Sequence, residues 1–268
     1  MNPSNTNPTL NPNPGSPFRK ENVLLLILGG FFVANALIAE FIGVKIFALE
    51  TTFGFQPFNW ALFGQQGSLQ FTAGVVLWPV VFIMTDIINE YFGRRGVQLL
   101  SFMAAGLIAY AFLMVYAAIG MSPAPWWTES YADQGVENMQ TAFAAVFGQG
   151  LWIIGGSLAA FLVGQLVDVT VFHRLRKLTG PRAIWLRATG STLVSQLVDS
   201  FVVLYIAFVL PGRWDFNLFF AVGLVNYVYK LVVALALTPV LYGVHWGIDT
   251  YLGKERADKL MESAALDQ

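Results

Sequence analysis

Residues 78–120 read WPVVFIMTDIINEYFGRRGVQLLSFMAAGLIAYAFLMVYAAIG. Two long apolar runs flank the tetrapeptide Gly93-Arg94-Arg95-Gly96. A hydrocarbon core roughly 30 Å thick takes about 20 apolar residues to cross as a helix. Each run has that length once its flanks are included. Working outward, the same criterion selects segments 23–44, 69–91, 97–120, 143–167, 188–210 and 218–244. The runs are continuous rather than alternating, which points to helices and away from a β-barrel. The expectation is an all-α integral membrane protein built as a six-transmembrane-helix bundle.

Charge placement orients the bundle. Arg19 and Lys20 precede the first span, and Arg94 and Arg95 follow the second. His173-Arg174-Leu175-Arg176-Lys177, then Arg182 and Arg187, follow the fourth. Lys254, Arg256 and Lys259 follow the sixth. The alternate connections 46–68 and 121–142 carry no Lys or Arg, and 211–217 carries only Arg213. Cationic loops resist translocation, so both termini are expected in the cytoplasm. Residues 1–20, rich in Asn and Pro, read as a disordered cytoplasmic tail; 21–250 read as the six-helix transmembrane domain and 251–268 as a cytoplasmic C-terminal tail. Trp126 and Trp127, with Phe53, Phe55, Phe58 and Trp60, read as anchors at the headgroup level.

Composition excludes several kinds of chemistry. Of the 268 residues, 56% are hydrophobic and 12% charged, well below the charge of a soluble domain. No cysteine is present, which removes disulfides, thiolate nucleophiles and cysteine-held metals. His173 and His245 are the two histidines, and both fall at membrane edges, which argues against a metal site. Ser191 and Ser195 lie in no nucleophile-elbow pattern, so an intramembrane hydrolase is disfavoured. A phosphate-cradling Gly-rich Lys motif is absent, so ATP hydrolysis would come from a separate energising partner. No enzyme activity, cofactor or nucleic-acid partner is expected. A homo-oligomer stays open.

The informative side chains are those that lipid penalises. An ionisable group near a helix centre costs about 2.5–3.5 kcal/mol on insertion scales. Asp86 and Glu90 are four residues apart on one helix face, with Asn89 beside them. Asp86 falls roughly 8 Å inside the cytoplasmic end. Glu90 can alternatively be a solvated end residue paired with Arg94. Gln196 and Asp199 share a face near the middle of the fifth span, and Asn226 and Lys230 share one in the sixth. An Asp199–Lys230 pair can fix packing as well as serve a ligand. Asn35 in the first span can line a site or hydrogen-bond between helices. Lys45 can snorkel to the interface. Asp168 reads as capped by the adjacent basic loop. Pro79 and Pro239 read as candidate kinks within their spans. Gln165-Leu166-Val167-Asp168 recurs as Gln196-Leu197-Val198-Asp199, in copies expected to run oppositely at different depths. The third span contributes almost no polar group and is expected at the periphery. A mixed set of carboxylate, amide and ammonium groups suits a small polar molecule, and Phe71, Trp78, Tyr227 and Tyr229 can stack a flat ring. A desolvated Asp86 or Asp199 can also carry a proton during transport.

The stretches Thr85-Asp86-Ile87-Ile88-Asn89-Glu90-Tyr91-Phe92-Gly93, Ser195-Gln196-Leu197-Val198-Asp199 and Asn226-Tyr227-Val228-Tyr229-Lys230 resemble signature segments of the bacterial queuosine precursor transporter family, also described as vitamin-uptake-like. The resemblance spans about residues 23–250. It implies inner-membrane import of a 7-deazaguanine base, such as 7-cyano-7-deazaguanine or 7-aminomethyl-7-deazaguanine, for tRNA modification. It also implies kinship with the six-helix substrate-binding subunits of energy-coupling-factor transporters. The substrate-lining residues so implied are Asp86, Asn89, Glu90, Gln196, Asp199, Asn226, Lys230 and Asn35.

Overall fold

The computed structural model describes residues 19–148, 150–179 and 184–266. Positions 1–18 of the N-terminal stretch, and Arg182, lie outside the described residues. The chain order is α1 Lys20–Ile42, β1 Ile46–Ala48, a single turn α2 Leu49–Thr52, β2 Trp60–Leu62, β3 Gln65–Gly67 and β4 Gln70–Thr72. There follow α3 Trp78–Gly120, α4 Met139–Phe147, α5 Leu151–Thr179, α6 Ile184–Leu204, α7 Phe216–Leu252 and α8 Lys254–Leu266. Among the described residues, five stretches are long and apolar enough to cross a membrane: Lys20–Ile42, Ala73–Gly120, Met139–Thr179, Thr189–Val209 and Phe216–Leu252.

The second of these holds two of the segments expected from sequence. Gly93 adopts φ 68° inside α3, a left-handed backbone that breaks the helix there. The arms on either side fold back on one another. A Cβ on Gly74, before the first arm, would touch the Ala39 carbonyl near the end of α1. Phe112, late in the second arm, stacks on Phe41 at 5.5 Å between ring centroids. Both far ends of α3 therefore meet the same end of α1, so α3 is a helical hairpin turning at Gly93.

Local chemistry sets the other boundaries. Pro79 stands in the first turn of α3, where its missing N–H is no loss, so it starts the helix rather than kinking it. Pro239 does lie inside α7. The expected span from 69 starts late because 70–72 form β4, paired antiparallel with β1. The Asn138 side chain accepts from the Thr141 N–H and starts α4, which stops at Gly148. The expected span 143–167 is thus two helices, α4 and α5. Asp215 caps α7 through the Leu218 N–H. Helix α6 passes into a π-helical turn at Tyr205–Val209. The connection 46–68 is more structured than a plain anchor. Glu50 Oε1 accepts the Leu69 N–H at 2.6 Å and the Phe58 N–H at 3.2 Å, which cinches the loop across β2 and β3.

Polarity is arranged inside out. Leu26, Leu99, Leu113 and Val232 are exposed, whereas Asp86, Asp168, Gln196 and Lys230 are buried. Lipid solvates the first set, and only protein contacts can satisfy the second. The second arm of α3 buries Val97, Leu100, Ala104 and Ile108 and leaves Phe102, Tyr110 and Leu113 outside, as a peripheral helix should.

Helices α5 and α6 form the tightest antiparallel pair because α5 offers glycine where α6 approaches. A Cβ on Gly156 would sit 3.1 Å from the Val203 carbonyl, and one on Gly164 3.4 Å from the Asp199 Cβ. At the hairpin turn, a Cβ on Gly93 would sit 3.1 Å from the Ala264 carbonyl of α8. Gly93→Ala is expected to lower stability by about 1–3 kcal/mol through backbone strain alone. Gly106→Ala, with open space around it, should be neutral or slightly stabilising. Thermal unfolding midpoints of the detergent-solubilised variants test this; equal midpoints would remove the turn's special status.

Candidate functional site

The polar residues of α6 fall on one stripe: Ser191, Thr192, Ser195, Gln196, Asp199 and Ser200, all buried. Steps of three and four residues keep them on a single helix face. The antiparallel register with α5 and the first arm of α3 decides what the stripe meets.

At its lower end it meets two carboxylates. Ser191 Oγ donates to Asp86 Oδ1 at 3.3 Å, and Thr192 Oγ1 donates to Asp86 Oδ2 at 3.2 Å. Ser195 Oγ donates to Asp168 Oδ1 at 3.0 Å. Asp86 is 4% exposed and Asp168 is 0% exposed. Next to Asp86 on α3, Thr85 Oγ1 donates to Gln165 Oε1 at 3.0 Å. Asn89 is 0% exposed, and neither of its amide atoms has a partner. Gln165 Nε2, Gln196 Oε1 and Asp168 Oδ2 are likewise buried without partners. Buried polar groups left unmatched point to an unseen water or ligand.

At its upper end the stripe meets α7. Asp199 and Lys230 form a direct, buried ion pair. Gly164 of α5 lies against Asp199 and against Phe82, one turn from Asp86 on α3. The two charged centres are therefore neighbours, with Gln165 and Gln196 between them. Glu40 of α1 accepts from Ser157 of α5 and lies near enough to Asp199 for the carboxylates to repel.

Of the residues expected from sequence, the structure gathers Asp86, Asn89, Gln196, Asp199 and Lys230. Glu90 is close to them but is not the solvated partner of Arg94. It is 3% exposed and faces Arg176 of α5 at 3.8 Å, while Arg94 is exposed. The remaining two are less engaged. Asn226 is half-buried and donates to the Val222 carbonyl of its own helix at 3.0 Å. Asn35 donates to the Phe31 carbonyl of its own helix at 2.8 Å. Asp168 is not capped by the adjacent basic loop as expected: it is buried against α6, where Ser195 donates to it, and lies beside Asp86. The two copies of the Gln-Leu-Val-Asp repeat run oppositely, as expected, but at the same depth. Gly164, before one copy, meets Asp199, and Ser195, before the other, meets Asp168. The aromatics pack on one another: Phe71 lies 4.4 Å from Tyr229 and Trp78 5.6 Å from Phe161, between centroids.

Residues 72–244 match the family model described as a putative vitamin uptake transporter. The chain belongs to that family. Its members are transporters rather than enzymes. A protein of Bacillus subtilis (strain 168) named "Probable queuosine precursor transporter" is 29% identical over 172 residues, which is 64% of this chain and 70% of the relative. A protein of the same name from Haemophilus influenzae is 29% identical over 186 residues, 66% of this chain and 69% of its own. The "Queuosine precursor transporter" of Escherichia coli (strain K12) is 28% identical over 192 residues, 70% of this chain and 77% of its own. No solved structure matches.

The vitamin uptake transporter match contains the whole α6 stripe, both α5 partners and Lys230. Asn35 and Glu40 of α1 lie before it. In this transporter the Asp199–Lys230 pair also holds α6 to α7. Removing one partner of a buried pair leaves the other charge uncompensated, at about 3–5 kcal/mol. Asp199→Asn and Lys230→Met should each destabilise by that order, and the combined variant should regain most of the loss. Detergent unfolding midpoints give the readout. Single variants as stable as the parent would show that the pair is not a structural clamp.

Proposed function

We propose that this chain imports a queuosine precursor of the 7-deazaguanine class, 7-cyano-7-deazaguanine or 7-aminomethyl-7-deazaguanine, across the bacterial inner membrane. The supporting observation is the set of buried, unmatched amide atoms between the two charged centres, at Asn89, Gln165 and Gln196. The names carried by the relatives supply the substrate class. A deazaguanine edge offers a ring N–H and an amino group side by side, and a carbonyl next to them. A carboxylate accepts from both donors, and an amide donates to the carbonyl. Asp86 and Asn89 on α3 are the first choice for that reading, with Gln196, Asp199 and Lys230 beside them. Glu90, Asn35 and Asn226 line the approaches. A base lacking the donor pair would leave a buried carboxylate unmatched, and that penalty supplies selectivity.

The chain crosses the bilayer six times in this reading, with both termini cytoplasmic. The fold-back at Gly93 and the exposed Arg94 and Arg95 at that turn support it. Residues 1–20 and 251–268 are then the cytoplasmic ends of a 21–250 membrane domain.

Two experiments test the reading. In cells unable to make the precursor, the intact chain should restore queuosine in tRNA at limiting precursor. Asp86→Asn and Gln196→Ala, at equal membrane abundance, should reduce uptake about ten-fold or more, as expected for a lost buried hydrogen bond. Normal uptake by both variants would remove these residues from the site. The chain has no native cysteine, so single cysteines report topology cleanly. Arg95→Cys should resist an impermeant thiol reagent in intact spheroplasts, and Glu129→Cys should react. The reverse pattern would invert the proposed orientation.

A further inference from the structure

Resting on the transport reading above, we propose that Asp86 and Asp168 together form the proton-carrying site that drives uptake, and that Asp199 does not.

The geometry starts with two buried carboxylates brought side by side from α3 and α5, close enough to repel each other. Hydroxyls of α6, from Ser191, Thr192 and Ser195, donate to them. The Ser191 hydroxyl reaches both acids. Among the described residues no cationic side chain pairs with either one. Two carboxylates confined together away from water do not both stay ionised, because one shared proton removes most of the repulsion. Asp168 Oδ2 is buried and has no donor, so the pair has an acceptor in place for that proton. Asn89, fully buried with both amide atoms unmatched, stands one turn from Asp86 and extends this cluster of buried polar side chains.

Among the described residues the neighbouring charges pair with neither acid. On α3, Glu90 faces Arg176 of α5, and its charge adds to the repulsion at Asp86. On α5, His173 is buried with neither ring nitrogen partnered, and its charged neighbours are Arg176, Arg94 and Lys177. On α6, Asp199 is neutralised by Lys230 of α7. That ion pair has no charge to shed or gain without breaking, whereas the paired acids exchange a single proton with no loss of a partner. One proton enters the acid pair from outside and leaves it inside with each substrate molecule.

The test uses the full chain in proteoliposomes with radiolabelled 7-cyano-7-deazaguanine. Counterflow exchange by the wild type, with no gradient imposed, checks the transport reading by itself; its failure would sink that reading. Where exchange occurs, a pH gradient of one unit, alkaline inside, should drive about ten-fold accumulation for one proton per substrate. An external substrate gradient should in turn acidify the lumen, read by a trapped pH dye. Both readouts use the wild type, so they do not depend on any variant folding. In Asp168→Asn that elutes as monodisperse protein, accumulation should no longer follow the pH gradient. Exchange without any response to pH, accumulation driven by a sodium gradient instead, or an Asp168→Asn variant that still accumulates with the pH gradient would each overturn the proposal.

Discussion

Hydrocarbon offers no hydrogen bonds, so a carboxylate buried between the helices of this protein must find its donors on another helix. That requirement organises the bundle. Helix α6 answers it with hydroxyls at its lower end and helix α7 with Lys230 at its upper end. Helix α5 supplies both the glycines that let α6 approach and one of the acids that the approach must satisfy. Packing and polarity therefore cannot be separated: the register that buries Gly164 against Asp199 is the register that places Ser195 on Asp168.

The same register explains the repeated Gln-Leu-Val-Asp. Antiparallel helices that carry one polar pattern at matched depth meet each copy with the other. Each aspartate then falls near the start of the opposite copy, where a small residue, Gly164 or Ser195, gives it room. The copies diverge in what lies beyond them. Asp199 finds an ammonium on α7, and Asp168 finds a second carboxylate on α3. One sequence pattern thereby produces two charge environments about one turn apart on adjacent helices.

Much of this was legible beforehand, because lipid imposes length and charge rules that a single chain displays openly. The runs flanking Gly93-Arg94-Arg95-Gly96 gave the hairpin, and the cost of burying charge singled out Asp86, Asp199 and Lys230. What stayed hidden depends on rotation and depth between helices, which no single helix encodes. Asp168 looked like a loop-capped residue because its distance from the basic segment was visible and its facing toward Ser195 was not. The solvated alternative for Glu90 stayed open for the same reason; Arg176 reaches it only after α5 has packed. The stripe of hydroxyls on α6 did leave a signal, in the spacing of Ser191, Thr192, Ser195 and Asp199. Polar periodicity on an apolar helix deserves the same scrutiny as apolar periodicity on a polar one. Pro79 misled because a proline counts as a kink only when the helix has already begun.

The cytoplasm-facing end in the proposed orientation has its own contacts between helices. Arg176 contacts Glu90 of α3 and donates to the Met261 carbonyl of α8 at 2.7 Å. The Tyr91 hydroxyl lies 2.9 Å from His245 Nδ1 and donates to Asp249 Oδ1 at 2.8 Å, joining α3 to α7. These contacts gather at the turn where α8 packs under Gly93. They are polar and join whole helices, yet Glu90 and Tyr91 are buried within them. Breaking one would leave a buried group unmatched, which costs more than losing a surface ion pair. This end is therefore held by buried polar contacts, as α6 is held to α7 by the Asp199–Lys230 pair.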